Sequence, residues 1–368
     1  MTMFTRFART AVAGAALVAL LAGCSAASAP EPTPTAPSLA DLVPLSDLDL
    51  IADPRSHVGE STALLPEVSI SSLDAVPDQQ LPATVTSYDL DGDTEVTVES
   101  TDRILGIDIA GSIAATVFGL GLGDNVMGRD VSTTFPEAAD LPVVTSSGHS
   151  VNSESILALR PDVIITDGTV GPVDVLLQLR DAGIAIVFVD TDPSLDGVGE
   201  LARQVGAALG APAAGEELAS QLQVEIEDKV AEIAAIAPTD DADRLRIVFL
   251  YLRGSAGIYY LFGSESGADA LITSLGGIDV AAEIGWEGMK PMTDEALIAA
   301  NPDLILVMTS GLESVGGVDG LLESKPAIAL TRAGENRRFV DMADGDILSF
   351  GPRTALVLDA LARAVYAG

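Results

Sequence analysis

"ESILALRPDVIIT" (Glu154–Thr166) and "EALIAANPDLILV" (Glu295–Val307) are two copies of one pattern. Each has apolar residues at helical spacing, a Pro-Asp stop, then a continuous apolar run. Pro161 and Pro302 lack the amide that a helix would need next, so both helices must end before them. The runs Val163–Ile165 and Leu304–Val307 do not alternate with polar residues, which marks parallel strands covered on both faces. Upstream of each copy lies a Gly/Ala-rich helical stretch that closes on glycine: "GSIAATVFGLGLG" (111–123) and "GADALITSLGG" (267–277). Agreement in order as well as in sequence points to a duplication. The expected fold is therefore α/β, with two similar lobes.

Between the copies, "AAGEELASQLQVEIEDKVAEIAAI" (213–236) has no proline and one early glycine. Leu218, Leu222, Ile226, Val230 and Ile233 recur at helical spacing. About 24 residues rising roughly 1.5 Å each predict a helix near 36 Å long. A single long helix is a stiff joint, so the lobes should open and close little. Ligand is expected in the cleft between them, outside the carboxyl ends of the strands. The boundaries that follow are an N-terminal lobe over 83–195, helices over 196–237 ending in the connecting one, and a C-terminal lobe over 238–368.

The start of the chain speaks to its location. Arg6 and Arg9 precede an apolar run from Ala11 to Ala22, which closes on Leu21-Ala22-Gly23-Cys24. A basic start, a short apolar core and small residues describe a secretory signal over residues 1–23. At about 12 to 14 residues the run is too short to span a bilayer, which needs roughly 20. The segment resembles the lipobox of bacterial lipoproteins, which implies lipidation of Cys24 and a mature protein tethered to the outer face of the cytoplasmic membrane. The other reading is an ordinary signal peptide that leaves Cys24 unmodified. Residues 24–82 then comprise a Pro/Ala/Ser spacer and a loosely ordered extension packed on the first lobe, where His57 reads as a solvated loop residue.

Composition narrows the partners. Lys and Arg total 19 against 54 Asp and Glu, a net charge of −35. Such a surface repels phosphate backbones, which argues against nucleic acid. Cys24 is the single cysteine, so no disulfide or cysteine metal site can form within the chain. Two histidines are too few for a usual zinc receptor. No nucleophile elbow, Walker loop or paired His/Glu metal motif appears, which leaves an enzyme, such as an extracellular haem enzyme, as the weaker alternative.

"RLRIVFLYLRG" (Arg244–Gly254) carries the chemistry. Ile247–Leu250 form a strand core, and side chains at i and i+2 share a face. Tyr251 and Arg253 thus project together at the carboxyl end of the strand, toward the cleft. A guanidinium beside a phenol favours the phenolate, and tyrosinate is an axial ligand of haem iron. On the other side, "VTSSGHSVNSE" (Val144–Glu154) places His149 just before the first-repeat helix. An imidazole and a phenolate from opposite walls can bind a metalloporphyrin iron at both axial positions. A loop histidine can equally be solvated, and a strand-end tyrosine can simply pack its ring.

The repeat, the long helix and the lipobox together resemble the helical-backbone class of ABC-transporter substrate-binding proteins, over about residues 84–368. "SSGHS" with "YLRG" is most similar to the haem-uptake lipoproteins within it. The resemblance implies a receptor, not an enzyme, that takes haem free or from haem-donor surface proteins and delivers it to an ABC permease. It implies His149 and Tyr251 as axial ligands of the iron, with Arg253 bonded to the phenolate. It also implies that Glu154 and Glu295, which open the equivalent helices, dock onto permease arginines. A carboxylate there also suits the positive end of a helix dipole, so capping is the plainer role. Met289 and Met292, near Trp286, are candidates to line the porphyrin face. Tyr259, Tyr260 and Arg353 are candidates for its edge or carboxylates. A ferric siderophore or a cobalamin is the alternative cargo on the same fold.

Overall fold

The computed structural model describes residues 36–39, 42–146, 149–291 and 293–368. The signal segment, Cys24 and Met292 lie outside the described residues. Strands are numbered along the chain. The first eight are β1 Ser61–Ala63, β2 Ala83–Ser87, β3 Thr94–Val98, β4 Ile104–Ile107, β5 Thr145–Ser146, β6 Ser150–Val151, β7 Val163–Thr166 and β8 Ala185–Phe188. The rest are β9 Arg246–Arg253, β10 Ile258–Phe262, β11 Ile278–Asp279, β12 Met289–Pro291, β13 Leu304–Met308 and β14 Phe339–Met342.

The duplication is visible in the sheets. In the N-terminal lobe, β4, β7 and β8 form a parallel sheet in that order. In the C-terminal lobe, β9, β13 and β14 repeat it, also parallel. Every residue of β4, β7 and β14 is buried, Asp341 of β14 included, as parallel strands covered on both faces require. The C-terminal sheet then grows by β10 and β12, paired antiparallel, and by β11 beside β9.

The repeat helices run over Ser153–Leu159 and Asp294–Ala300. Asn152 caps the first by accepting from the Ser155 amide, and Thr293 caps the second by accepting from Ala296. Both helices end on a left-handed residue, Arg160 (φ 49°) and Asn301 (φ 39°), just before the prolines. The connecting helix spans Pro212–Ile236, with proline in its first turn where no amide is missed. Leu218, Leu222, Ile226 and Ile233 on it are buried. They belong to one apolar core that also holds Ile104, Val163 and Val187 of the N-terminal sheet and Phe249, Leu306 and Val340 of the C-terminal one. The lobes thus share a core along the helix.

Residues 42–82 differ from the loose extension expected. They form a strap over both lobes. Leu45 is buried near the connecting helix, and β1 extends the C-terminal sheet by pairing in parallel with β14. Arg55 forms an ion pair with the fully buried Asp303 at 2.9 Å. Further along, the Leu73 amide donates to Gly119, Gln79 donates to Thr101 and Leu209, and the Gln80 amide donates to Gly210. The short polar and apolar pairs of this stretch have no period because each one meets a different neighbour.

Candidate functional site

A cavity of about 360 Å³ opens where the parallel strands of the N-terminal lobe end. Asp108 and Ile109 follow β4, Asp167 and Thr169 follow β7, and Thr191 follows β8; Ser266, Leu348 and Phe350 close it from the C-terminal lobe. The lobes touch at its floor. Ser112 Oγ and Ser349 Oγ lie 3.2 Å apart. Gly267 (φ +83°) sits so close to the Phe350 ring and the Pro193 carbonyl that a Cβ would clash with both. This is the cleft expected from the strand polarity.

Three carboxyl groups meet at this end. Asp108 accepts from the Ser112 and Ile113 amides and so holds the start of the helix Ser112–Gly119. Asp130 accepts from the Asp108 amide and from Ser132 and Thr133. Asp167 accepts from Thr169. Burial pushes the Asp108 carboxyl well above the usual range, and the charges of Asp130 and Asp167 push it further. Burial raises Asp130 and Asp167 as well. Sequence reasoning missed this trio, since three aspartates scattered over 60 residues in so acidic a chain carry no pattern.

His149 sits at the turn of the β5–β6 hairpin with φ 59°. That hairpin is bonded to the loops at Val131 and Gly171, the second of which carries the cavity-lining Thr169, itself bonded to Ile109. The Val131 amide donates to Thr145 Oγ1, the Val151 amide donates to Gly171, and the Ile109 amide donates to Thr169. The ring is half-buried, and its Nδ1 is shut from solvent with no hydrogen-bond partner among the described residues. Ile109 and Val131, on neighbouring loops, leave apolar side chains exposed. Neither was singled out in sequence.

On the C-terminal lobe, the other candidates sit on β9, β10 and β12. Their register puts Tyr251 beside Tyr260, and Tyr260 beside Pro291; one row deeper, Phe249 faces Phe262, which faces Met289. Cross-strand partners share a face. The Tyr251 and Phe249 rings each stack on Phe262, at 5.9 and 5.0 Å between centres. Met289 is 51% exposed at the end of its row. The Arg253 guanidinium carbon lies 5.9 Å from the centre of the Tyr251 ring, on the same face as expected. Among the described residues no hydrogen bond joins Arg253 to the phenol; the guanidinium meets the ring instead.

The remaining candidates separate. Tyr259 points to the other face of β10, where Lys325 Nζ rests 3.9 Å from its ring centre. Trp286 packs on that far side too, donating its indole N–H to Leu261. Arg353 is engaged by Asp346 at 2.7 Å and lines hollows formed with residues 65–71, not the cleft cavity. Glu154 and Glu295 are both exposed on their helices and join no ion pair among the described residues. No group of three or more His, Cys, Asp or Glu side chains among the described residues is placed to hold a bare metal ion. None of the described helices is long and apolar enough to cross a membrane.

In a two-lobed α/β chain, a cleft at the strand ends is the usual place for a small-molecule ligand. Residues 109–344 match the periplasmic binding protein family, and the chain belongs to that family of binding proteins. Among solved structures it is similar to the haem-binding protein HmuT, at 40% identity and a TM-score of 0.75, covering 86% of this chain and 100% of that one. Structures of HmuT with an arginine, a tyrosine or a histidine replaced by alanine align as well, with TM-scores of 0.77, 0.77 and 0.75. In HmuT that arginine lies two positions after the tyrosine. The periplasmic haem-binding protein RhuT from Roseiflexus sp. RS-1 is 37% identical with a TM-score of 0.62, over 72% of this chain and 100% of its own. Among curated relatives, the uncharacterized ABC transporter substrate-binding lipoprotein YvrC of Bacillus subtilis is 26% identical, over 74% of this chain and 82% of its own. A cobalamin-binding protein of Halobacterium salinarum is 29% identical over 67% of this chain and 64% of its own.

Proposed function

We propose that this protein captures haem outside the cytoplasmic membrane, holds it between its lobes and delivers it to an ABC permease. The observation that carries the reading is the wall of β9, β10 and β12, where Tyr251, with Arg253 beside its ring, stands among Phe262, Tyr260 and Met289. Flat aromatic and thioether surface suits a porphyrin face, and a phenolate suits ferric iron. His149, at the turn of a hairpin bonded to the loops at Val131 and Gly171, supplies the second axial ligand. Solved structures similar at 40% and 37% identity are of haem-binding proteins, and in one of them a tyrosine and an arginine have the spacing of Tyr251 and Arg253. With both axial positions taken, the iron has no open site for peroxide or oxygen, which suits carriage rather than catalysis.

Glu154 and Glu295 are the permease anchors in this reading, one on each lobe (83–195 and 238–368) at matching helix starts. Lipidated Cys24 is the tether. Arg353, committed to Asp346, is left out of the ligand set. Titrating the purified protein with haemin tests the proposal. A red-shifted Soret band should form at one equivalent and be lost in both His149→Ala and Tyr251→Ala, with no binding of cyanocobalamin. Cobalamin binding without a haem spectrum would transfer the site to a corrinoid, as in the cobalamin-binding Halobacterium relative.

A further inference from the structure

We infer that each lobe meets the permease through a mixed patch, a carboxylate with an exposed aliphatic side chain beside it: Glu154 with Leu157, and Glu295 with Ile298. This rests on the reading above that a twofold permease takes one anchor from each lobe.

The two helices present the same surface. Glu154, Leu157 and Ala158 are exposed on the first, while Ile156 is buried. Glu295, Ile298 and Ala299 are exposed on the second, while Leu297 is buried. Residues three apart lie on one helix face, so each aliphatic side chain neighbours its carboxylate. Leu157 is 48% exposed and Ile298 44%. A single exposed leucine would carry no argument, because soluble proteins have many. A matched pair, at corresponding repeat positions and beside exposed carboxylates that join no ion pair among the described residues, does carry one.

Charge sharpens the point. With 54 acidic residues, the chain offers a permease arginine many carboxylates, so a carboxylate alone cannot mark the docking point. An aliphatic side chain next to it can. The fitting partner is a membrane protein of two like subunits, each showing an arginine rimmed by apolar surface. In such a contact the charge pair steers approach and weakens with salt, whereas burial of the aliphatic does not depend on salt.

The test uses the soluble mature chain and its cognate ABC permease in nanodiscs, with affinity measured at low and high salt. Leu157→Ser with Ile298→Ser should weaken binding roughly tenfold per side chain at both salts and leave the salt dependence unchanged. Glu154→Gln with Glu295→Gln should flatten the salt dependence. Circular dichroism and haem titration should match the wild type for the aliphatic pair. If only the glutamine pair loses affinity, the aliphatic contact is wrong and the docking reading stands. If neither pair changes affinity, the docking reading falls and takes this inference with it.

Discussion

Asp108, Asp130 and Asp167 bring three carboxyl groups to the end of the N-terminal sheet, where burial keeps each above its usual range and the charges of the other two push Asp108 further. In the folded protein they hold protons at pH values where the unfolded chain, titrating near pH 4, has lost them. Their ionisation therefore costs stability as pH rises, and that stability returns as pH falls from neutral toward about 4. Asp89, which Arg180 holds at about 2, works the other way, losing its contribution only below about pH 4. His57 also opposes the trio, since burial and Arg338 disfavour its charged form. Thermal melting of Asp167→Asn isolates the trio, because one repelling charge is gone. From pH 8 to pH 5 the wild type should gain more stability than the variant; parallel curves would mean that Asp167 titrates alike in the folded and unfolded chain and does not press on Asp108. Rare residue types were legible at this scale. One histidine on a Ser/Gly loop and a Tyr-x-Arg strand end stand out against the background, whereas aspartates do not.

Elements were legible wherever a period or a stop signal held. The repeat helices end before Pro161 and Pro302, and the connecting helix begins within a residue of its expected start. The partner of β9 was not legible, because pairing register is set by a turn and by side chains far along the chain. Tyr259 and Tyr260 looked alike in sequence for that reason. Register separates them: Tyr260 shares the face of Tyr251, and Tyr259 lies under Lys325 on the other. Given the haem reading, Tyr260→Ala should release haem to apomyoglobin several-fold faster than wild type. Tyr259→Ala should release it at the wild-type rate but melt lower, since only packing and a cation–π contact worth about 1 kcal/mol are lost. Equal release rates for the two variants would show that the Tyr260 face does not meet the ligand.

For the whole molecule, the connecting helix is only part of what fixes the lobes. The strap of residues 42–82 adds a strand to one lobe and hydrogen bonds to the other. Its anchoring on the C-terminal side uses Arg338, which is fully buried and joins no ion pair among the described residues. Arg338 donates to Ser61 of β1 and to the Ala364 and Val365 carbonyls at the end of the last helix, whose negative dipole end offsets the charge. Arg55–Asp303 and Arg337–Glu60 add ion pairs along the same seam. None of this showed in sequence, since a strap has no period of its own and borrows its order from the surfaces it crosses. Deleting residues 36–60 removes Leu45, Arg55 and Glu60 and should leave Asp303 with Arg332 as its sole ion-pair partner. The truncated protein should melt several degrees lower, because loss of a buried leucine alone costs about 2 to 5 kcal/mol, and Asp303 loses one of its two ion-pair partners as well. Amide exchange should quicken in β14, which loses the support behind β1, and at the contacts between lobes near Ser112 and Ser349. If exchange quickens only at the cut end, with the interlobe contacts as slow as before, the strap is a decoration on the C-terminal lobe and the connecting helix with its shared core holds the cleft alone.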